Sequence, residues 1–540
     1  MNKRINFTNS THRLMALLGL LLCGGSAAFS ASSTGAVAPP NLIYIIADDM
    51  GYGDIGAMNP ESQIPTPNLD RLAGEGILFT DAHSSSSVCT PTRYNVLTGR
   101  YNWRTHLKRS VLNGYGKPLI DENRLTLASL CRDHGYRTAM IGKWHLGMDL
   151  PIVENGEGLP KKDRGNKYVD WSQPIGRTPT SNGFEYFWGH GASLDFPPYN
   201  YIENDRYLSQ QVKYTTRKEF GQMTGMTGSA ASIRSGWLGH NFDPVQTLEE
   251  FFDRSADYIV DAAEDAGKKP FFLYVPLTAP HTPIYPIDEF RGRSGLNTYG
   301  DFVMQIDAGV GRIMEAVEQA GIRENTLILY TADNGTSPKA DFEVLAEKGH
   351  FPSGIYRGQK ADIWEGGHRM PHILSWPAVI PPGTQTDRLT VLGDIVATMA
   401  DILDADLPAN AAEDSLSFLP VLQGRTDPTK EHAAIVNHAF DGQFAIRTRD
   451  WKLIFCPGSG GWSHPKDKAA RQLGLREYQL YNMKLDPAES NNVIDEHPEQ
   501  VAKLTALITR FVINGRSTPG PRQENDTPND WDQLVWMNDD

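Results

Sequence analysis

Cys89 stands in a stretch whose residue types suit chemistry on an anion. Four serines, residues 84–87, precede it at a distance of one residue, and Thr-Pro-Thr-Arg follows it directly at residues 90–93. Pro91 and the run after it predict a helix with Cys89 near its amino end, where N–H groups and the helix dipole favour negative charge. That position would lower the pKa of a thiol, so one reading is a plain thiolate nucleophile. Another is a five-residue pattern that arose by chance.

Acidic side chains follow two predicted strands at the point where each strand ends. Residues 41–47 form a continuous apolar run, and two aspartates in a glycine-containing turn come after it. Residues 327–330 are a second such run, followed closely by an aspartate and an asparagine. Because parallel strands end at one edge of a sheet, these groups together predict a site for a hard divalent cation, although an ordinary acidic turn explains either motif alone. The predicted ligands are Asp48, Asp49, Asp333 and Asn334.

Cations and imidazoles stand at or after other predicted strand ends. Lys143 and His145 lie in Gly-Lys-Trp-His, His281 follows an apolar run, and Lys360 lies in a glycine-rich polar segment. Any one of these residues, taken singly, is more often solvated or hydrogen-bonded than catalytic. Together with Arg93, the two lysines would form an anion pocket on one rim of an acidic protein. The two histidines could move protons near neutral pH.

The segments that carry these residues alternate between strand-like and helix-like patterns from about residue 40 onwards. Such alternation predicts an α/β fold, with a mostly parallel sheet flanked by helices and functional groups beyond the carboxyl ends of the strands. The predicted strands are residues 41–47, 138–142, 270–277 and 326–331, and the predicted helices are residues 67–73, 127–133, 247–266 and 302–320.

Two regions depart from this alternation. Residues 150–245 are rich in Gly, Pro, Asn and aromatic residues and show no clear elements, which is typical of a functional or surface insertion. Beyond residue 430, a hairpin is predicted from residues 443–449 and 451–455, and an amphipathic helix from residues 498–513. We therefore expect a catalytic domain over residues 40–430 and a smaller α+β domain with a polar tail over residues 431–540.

The amino-terminal residues have the features of an export signal. Lys3, Arg4 and Arg13 precede an apolar run over residues 14–22, and small residues that offer A-x-A-like cleavage sites follow. This apolar run is too short to cross a bilayer of about 30 Å. We expect a signal peptide over residues 1–30, a periplasmic or secreted protein, and no membrane attachment after cleavage.

Composition and cysteine content narrow the class of protein further. The 540 residues are 40% apolar, which is typical of a folded globular chain long enough for two domains. A formal net charge of -14 argues against nucleic acid as the main partner, because an acidic surface repels phosphate backbones. Signal cleavage leaves three cysteines, and the sequence leaves open whether Cys131 and Cys456 form a disulfide or are simply buried.

Taken in chain order, these motifs resemble the sulfatase family of the alkaline-phosphatase superfamily over about residues 40–455. Cys-Thr-Pro-Thr-Arg matches the family's C-x-P-x-R signature, which a maturation enzyme recognises when it oxidises the cysteine to formylglycine (3-oxoalanine). The aspartate pair, Gly-Lys-Trp-His, the histidine after a strand and Asp-Asn-Gly also appear in the family's usual order. The resemblance implies an alkaline-phosphatase-like fold and hydrolysis of sulfate esters.

The resemblance also implies how the nucleophile would work. Residue 89, as an aldehyde, would hydrate to a geminal diol beside a calcium ion. One hydroxyl would attack sulfur in line, and the second would later lose its proton and expel sulfate. A serine or a plain thiol has no second hydroxyl group that could expel sulfate in this way. The implied calcium ligands are residue 89 together with Asp48, Asp49, Asp333 and Asn334.

The remaining motif residues have implied roles around the sulfate group. His281 would protonate the leaving alcohol, with Lys360 as a helper. Arg93 and His145 would hold the diol. Lys143 and Lys360 would bind the sulfate oxygens, whose charge the transition state redistributes.

A sulfated glycan is the substrate class that the sequence favours. Residues 300–307 and 356–360 look closest to the branch that removes sulfate from galactose or N-acetylgalactosamine. In the loop over residues 187–199, aromatic planes could stack on a sugar while His190 and Asp195 bind its hydroxyl groups. Packing of the insertion explains the aromatic residues of this loop equally well.

Two alternative functions stay open. A phosphodiesterase or phosphonate hydrolase of the same superfamily would share the metal-binding strand ends and could share the formylglycine. A glycan-binding protein that has lost its chemistry would keep only the scaffold. The intact set of candidate catalytic residues argues against this second alternative; the set is Cys89, Arg93, Lys143, His145, His281 and Lys360.

Overall fold

A computed structural model describes residues 38–153, 168–225, 231–264 and 269–537. Most of the predicted strands and helices are present in it. The predicted signal peptide lies outside the described residues. The strands are β1 Asn41–Asp48, β2 Ile77–Phe79, β3 Ala82–His83, β4 Arg137–Lys143, β5 Ile152–Val153, β6 Tyr168–Val169, β7 Tyr186–His190, β8 Ile202–Glu203, β9 Arg206–Tyr207, β10 Val212–Thr215, β11 Gly236–Gly239, β12 Phe271–Pro280, β13 Thr326–Ala332, β14 His372–Ser375, β15 Thr384–Thr386, β16 Thr390–Val391, β17 Ile435–His438, β18 Phe444–Arg447, β19 Trp451–Ile454 and β20 Gln479–Asn482. The helices are α1 Pro67–Gly74, α2 Cys89–Thr98, α3 Leu127–Asp133, α4 Arg217–Thr224, α5 Thr247–Ala263, α6 Thr298–Gln319, α7 Phe342–Glu347, α8 Glu365–His368, α9 Ile395–Ile402, α10 Leu419–Leu422, α11 Asp467–Gln472 and α12 Pro498–Ile513.

A ten-stranded sheet forms the centre of the fold, in the order β15-β2-β14-β13-β1-β12-β4-β7-β8-β9. Strands β13, β1, β12, β4 and β7 run parallel to their neighbours within this group, whereas β14 pairs antiparallel with β13. Every residue of β1 is buried, as its continuous apolar run predicts for a strand covered on both faces. The predicted mostly parallel α/β fold is confirmed.

Two groups of helices cover the sheet. Helix α6 contacts both α1 and α5, and all three contact strands; α2, α3 and α9 form a second group. Helix α6 begins before its predicted start at residue 302, because the Asn297 side chain caps it by accepting hydrogen bonds from the N–H groups of Tyr299 and Gly300. Within the described residues, no helix has the length and apolarity needed to cross a bilayer.

The insertion between residues 150 and 245 contains short elements that the sequence did not predict. Strand β7 extends the main sheet beside β4, β8 and β9 follow it, and β10 pairs with β11 in a separate two-stranded sheet. Aromatic side chains pack this region: the ring of Trp188 lies 4.6 Å from that of Tyr201, which lies 4.7 Å from that of Phe242. Strands of two to five residues are too short for a clear alternating pattern.

A second, antiparallel sheet follows in the order β17-β18-β19-β20. The predicted hairpin is present as β18 and β19, and the predicted helix is α12, which packs against β19. The proposed boundary at residue 430 falls just before β17. Cys131 and Cys456 are both buried and do not form a disulfide with each other, which decides between the two alternatives that the sequence left open.

Buried charged side chains join the antiparallel sheet to α8 and to the segment from Asp81 to His83; we call them the Lys452 network. The ammonium group of Lys452, on β19, lies 3.2 Å from a carboxylate oxygen of Glu365 and 2.8 Å from one of Glu489. It also lies 2.9 Å from Nε2 of His368. The Nδ1 atom of His368 lies 3.0 Å from Nδ1 of His83. Asp81, Arg369 and Arg447 complete the network, with Arg369 and Arg447 each paired to Asp81. His83 directly precedes the four serines that lead to Cys89.

Candidate active site

The predicted cation ligands meet where β1 and β13 end. The two strands pair in parallel up to Ala47 and Ala332, so both deliver their next residues to the same edge. The backbone N–H of Asp49 donates to Asp333 at 3.3 Å, and the amide group of Asn334 donates to Asp49 at 2.8 Å. The oxygen-bearing side chains at this edge are almost fully buried; they are Asp48, Asp49, Asp333 and Asn334.

Three cations neutralise this acidic edge. Lys143, the last residue of β4, contacts Asp48, and Lys360 contacts Asp49. Arg93 donates from Nε to Asp333 at 2.8 Å. Burial alone would raise the pKa of Asp48, but Lys143, His281 and Arg93 outweigh it and hold that pKa well below its usual range. The predicted clustering of the three cations is therefore present.

Cys89 lies beside these groups at the first position of α2. Its Sγ is 3.6 Å from the ammonium group of Lys360, and the side chain is 1% exposed. Burial raises the pKa of the Cys89 thiol well above its usual value, and this effect exceeds the opposing influence of Lys143 and Lys360. The sequence-based expectation of a lowered thiol pKa is thus wrong, because the side chain is buried, which the local sequence does not reveal. A plain thiolate nucleophile is disfavoured.

The two predicted catalytic histidines differ in their surroundings. His281 lies just beyond β12, with one ring nitrogen 2.7 Å from the carbonyl oxygen of Thr282 and another 3.7 Å from Asp49. His145 places Nε2 2.8 Å from the carbonyl oxygen of Leu112, while its Nδ1 is buried without a partner among the described residues. Burial, aided by the charge of Lys143, holds the pKa of His145 well below its usual value. His145 is therefore neutral near pH 7.

Ser193 also belongs to this cluster, although the sequence analysis did not select it. Its hydroxyl group lies 3.2 Å from the ammonium group of Lys143 and 3.2 Å from Nδ1 of His281. The residue is buried and follows β7 by three positions. A serine after a strand end is too common to single out, so only its position beyond the carboxyl end of a sheet strand could have indicated it.

The two predicted sugar-binding residues lie on the same loop. His190 ends β7 and is 3% exposed, with its ring stacked on Phe251 and its pKa lowered to about 3, mainly by burial. Asp195 pairs with Arg234, whose guanidinium group lies over the ring of Phe196. The Oδ1 atom of Asp195 is buried and has no hydrogen-bond partner among the described residues. Each residue thus has a buried polar atom without a hydrogen-bond partner among the described residues: Oδ1 of Asp195 and Nε2 of His190.

Sequence comparisons place this arrangement in a known family. The model of the Sulfatase family matches residues 40–405. The N-acetylgalactosamine-6-O-sulfatase of Bacteroides thetaiotaomicron is 32% identical over 504 residues, covering 87% of this chain and 92% of the relative. Arylsulfatase A of Bos taurus is 30% identical, covering 91% and 92% of the two chains.

Solved structures agree with this assignment. A Bacteroides thetaiotaomicron protein solved in a study of the metabolism of multiple glycosaminoglycans superposes with a TM-score of 0.76 at 30% identity, covering 88% of this chain and 99% of that one. A sulfatase from Pseudoalteromonas sp. shares the fold with a TM-score of 0.63 at 23% identity, covering 88% and 90%. This chain belongs to the sulfatase family and is a sulfuric ester hydrolase.

Proposed function

We propose that this sulfatase removes sulfate from galactose- or N-acetylgalactosamine-type glycans, using a formylglycine made from Cys89 and a bound calcium ion. One observation carries the proposal. The thiol of Cys89, one carboxylate oxygen each of Asp48 and Asp49, and a ring nitrogen of His281 all lie within 4.8 Å of one another. A nucleophile, cation ligands and a proton donor thus lie next to one another in one buried cluster.

The donor set at the strand ends fits a calcium ion. Carboxylate and amide oxygens are the ligands that calcium takes in proteins. The Oδ1 atoms of Asp48 and Asn334 are buried and accept no hydrogen bond among the described residues. Buried oxygens without partners are costly, so a cation between the strand ends would account for them. The ion would supply positive charge that acidifies a nearby hydroxyl group and polarises the ester. The proposed ligands are residue 89, Asp48, Asp49, Asp333 and Asn334.

Oxidation of Cys89 to formylglycine is supported by the Cys-Thr-Pro-Thr-Arg motif. The hydrated aldehyde would supply two hydroxyl groups, one for attack on sulfur and one for release of sulfate. Arg93, which donates to Asp333 at 2.8 Å, fixes the ligand edge beside the nucleophile. The unpartnered Nδ1 of His145 is available to hold the nucleophile's side chain.

The neighbouring groups divide the remaining tasks. Lys143 and Lys360 place ammonium groups on either side of the acidic edge and would bind the sulfate oxygens. His281, the least enclosed of the cluster at 8% exposure, donates the proton to the departing alcohol oxygen. Ser193 bridges Lys143 and His281 and orients both.

The sugar specificity rests on the loop after β7 and on the named relative. The N-acetylgalactosamine-6-O-sulfatase aligns over 87% of this chain. The Oδ1 atom of Asp195 has no partner among the described residues, but it is buried, so a sugar hydroxyl group would reach it only after the pair with Arg234 shifts. We assign Asp195 a direct contact with the sugar. His190 remains a candidate contact, through its unpartnered Nε2.

The proposal extends to maturation and location. A signal peptide over residues 1–30 would export the chain to the periplasm or medium, with a formylglycine-generating enzyme as its partner during maturation. Residues 40–430 would form the catalytic domain and residues 431–540 the α+β subdomain with its tail.

Release of sulfate from a panel of positionally sulfated monosaccharides and oligosaccharides tests the activity. We expect turnover of sulfated galactose or N-acetylgalactosamine that exceeds turnover of a matched phosphodiester, and no turnover by Cys89→Ala. Mass spectrometry of the peptide that contains residue 89 should show the aldehyde after co-expression with a maturation enzyme. A fully active enzyme whose peptide contains only cysteine would refute the formylglycine assignment, and preferred phosphodiester turnover would refute the sulfated substrate.

Metal removal tests the calcium assignment. Excess chelator should abolish turnover by the wild type, and added calcium should restore it. Asp333→Ala should need far more calcium for half-maximal activity, because it removes one of the buried oxygen ligands. The shift of the thermal unfolding midpoint on adding calcium gives a readout that is independent of turnover. Full activity in chelator would contradict the assignment.

A further inference from the structure

Two aromatic residues in loops of the second sheet lie outside the hydrophobic clusters formed by the described residues. Phe440 follows β17, and Trp462 lies in the loop after β19. Their ring centroids are 5.5 Å apart with an interplanar angle of 56°. Both side chains are partly exposed, and neither belongs to the hydrophobic clusters formed by the described residues.

The backbone of Phe440 is bound on both sides to segments that carry catalytic candidates. Its N–H donates to the carbonyl oxygen of Ala361 at 3.0 Å, and Ala361 adjoins Lys360. Its own carbonyl oxygen accepts from the N–H of Ser110 at 2.8 Å. Ser110 is two residues before Leu112, whose carbonyl oxygen contacts His145. Phe440 therefore stands at the edge of the site between the Lys360 and His145 segments.

The loop that contains Trp462 packs closely against Ala361 and Asp362. The backbone N–H of Trp462 donates to a carboxylate oxygen of Asp362 at 2.9 Å. A Cβ atom on Gly461 would meet the carbonyl oxygen of Ala361 at 2.2 Å, so only glycine permits this approach. The two loops of the C-terminal sheet thus end within two residues of Lys360, whose ammonium group contacts Asp49 and Cys89.

We propose that Phe440 and Trp462 form a stacking platform for the pyranose ring next to the sulfated sugar. This inference rests on the proposed function of the site. Large aromatic side chains that remain partly exposed next to a cluster of charged side chains, outside any core, are typical of ligand contact surfaces. A pyranose ring presents C–H groups on one face, and galactose-type sugars have the more continuous C–H face, which suits the flat ring of Trp462. The ring of Phe440, tilted by 56° against it, would contact the side of the sugar. The occupant is therefore an uncharged ring face of a glycan.

If the platform binds the neighbouring sugar, changes at Trp462 should affect turnover of an oligosaccharide and not turnover of a monosaccharide. Trp462→Leu keeps an apolar side chain but removes the flat surface, and Trp462→Phe keeps a smaller flat one. We expect Trp462→Leu to lower kcat/KM about tenfold on a sulfated oligosaccharide, corresponding to about 1.4 kcal/mol. Its kcat/KM on the matching sulfated monosaccharide should stay within about twofold of wild type, and Trp462→Phe should recover most of the loss.

A matched control separates stacking from loop packing. Trp451→Leu changes a partly exposed tryptophan of the same sheet, whose ring contacts His497 at 4.8 Å, and should affect neither substrate selectively. Equal losses on both substrates for Trp462→Leu, or no loss on either, would overturn the platform. If the wild type releases sulfate from neither substrate, the proposed function fails by itself. Calorimetric binding of the oligosaccharide then decides the platform: weaker binding to Trp462→Leu supports it, and equal binding overturns it.

Discussion

A single buried hydroxyl group links two catalytic candidates at the scale of individual residues. Ser193 lies 3.2 Å from both Lys143 and His281, which come from different strands of the sheet. Hydrogen bonds to charged partners contribute about 1.5–3 kcal/mol, more than those between neutral groups. Loss of this hydroxyl group would leave Lys143 held by Asp48 and His281 held by the carbonyl oxygen of Thr282, but would remove the contact that sets their positions relative to each other.

We expect Ser193→Ala to lower kcat about 10- to 100-fold while the thermal unfolding midpoint changes little, since 1.4 kcal/mol corresponds to a factor of about ten. Ser85→Ala is the matched control. Its hydroxyl group is also buried but has no hydrogen-bond partner among the described residues. Steady-state release of sulfate by the two variants is the measurement. Equal activities would show that Ser193 positions neither Lys143 nor His281.

At the scale of elements, the Lys452 network holds β19 against the segment around α8. Lys452, Glu365 and Glu489 are all fully buried, so neither carboxylate can be solvated if the ammonium group is removed. Breaking a buried ion pair from one side typically costs about 3–5 kcal/mol, whereas an exposed pair contributes about 0–1 kcal/mol.

Lys452→Met should therefore lower the free energy of unfolding by about 3–5 kcal/mol, measured with denaturant. Adding Glu489→Gln to that variant should recover part of the loss, because one unpaired charge is removed. Lys430→Met is the control, since Lys430 pairs with Asp401 at the surface, where both side chains are about one-third exposed. Similar losses for the two lysine variants would contradict a special role for the buried network.

At the scale of the whole molecule, buried histidines make stability depend on pH. Burial lowers the pKa of His83, His368, His372 and His438, and the last two reach about 3. An unfolded histidine titrates near about 6.5. As the pH falls below that value, the unfolded chain binds protons that the folded chain excludes, so the contribution of these histidines to stability is full above about pH 6.5 and declines below it.

We expect the free energy of unfolding to be lower at pH 5.5 than at pH 7.5. His372→Phe should reduce this difference by about 1.4 kcal/mol, the value of one pKa unit, because His372 is buried with both ring nitrogens unpartnered among the described residues. Phe418→Leu, in the same aromatic cluster, is the control and should lower stability equally at both pH values. Denaturant unfolding at each pH gives the comparison. An unchanged pH dependence in His372→Phe would disprove the assignment.

Local signals predicted much of the fold and most of the candidate site. Helices α3 and α12 have their predicted bounds, because caps, glycines and amphipathic spacing mark helix ends within a few residues. Candidates such as Asp48, Lys143 and His281 were found because each stands at the end of an apolar run. Ser193 and the Lys452 network were missed, since neither has a local pattern.

By itself, the sequence determined which chemical groups the protein has and which strand or helix each one adjoins, because side-chain type and periodicity are local properties. Only the tertiary structure decided that residues 284 positions apart, such as Asp49 and Asp333, share one edge with Cys89. It also decided that the thiol has a raised pKa, and that two loops of the second sheet contact the two residues after Lys360. Proximity and burial depend on how all the elements pack, which no short stretch of sequence contains.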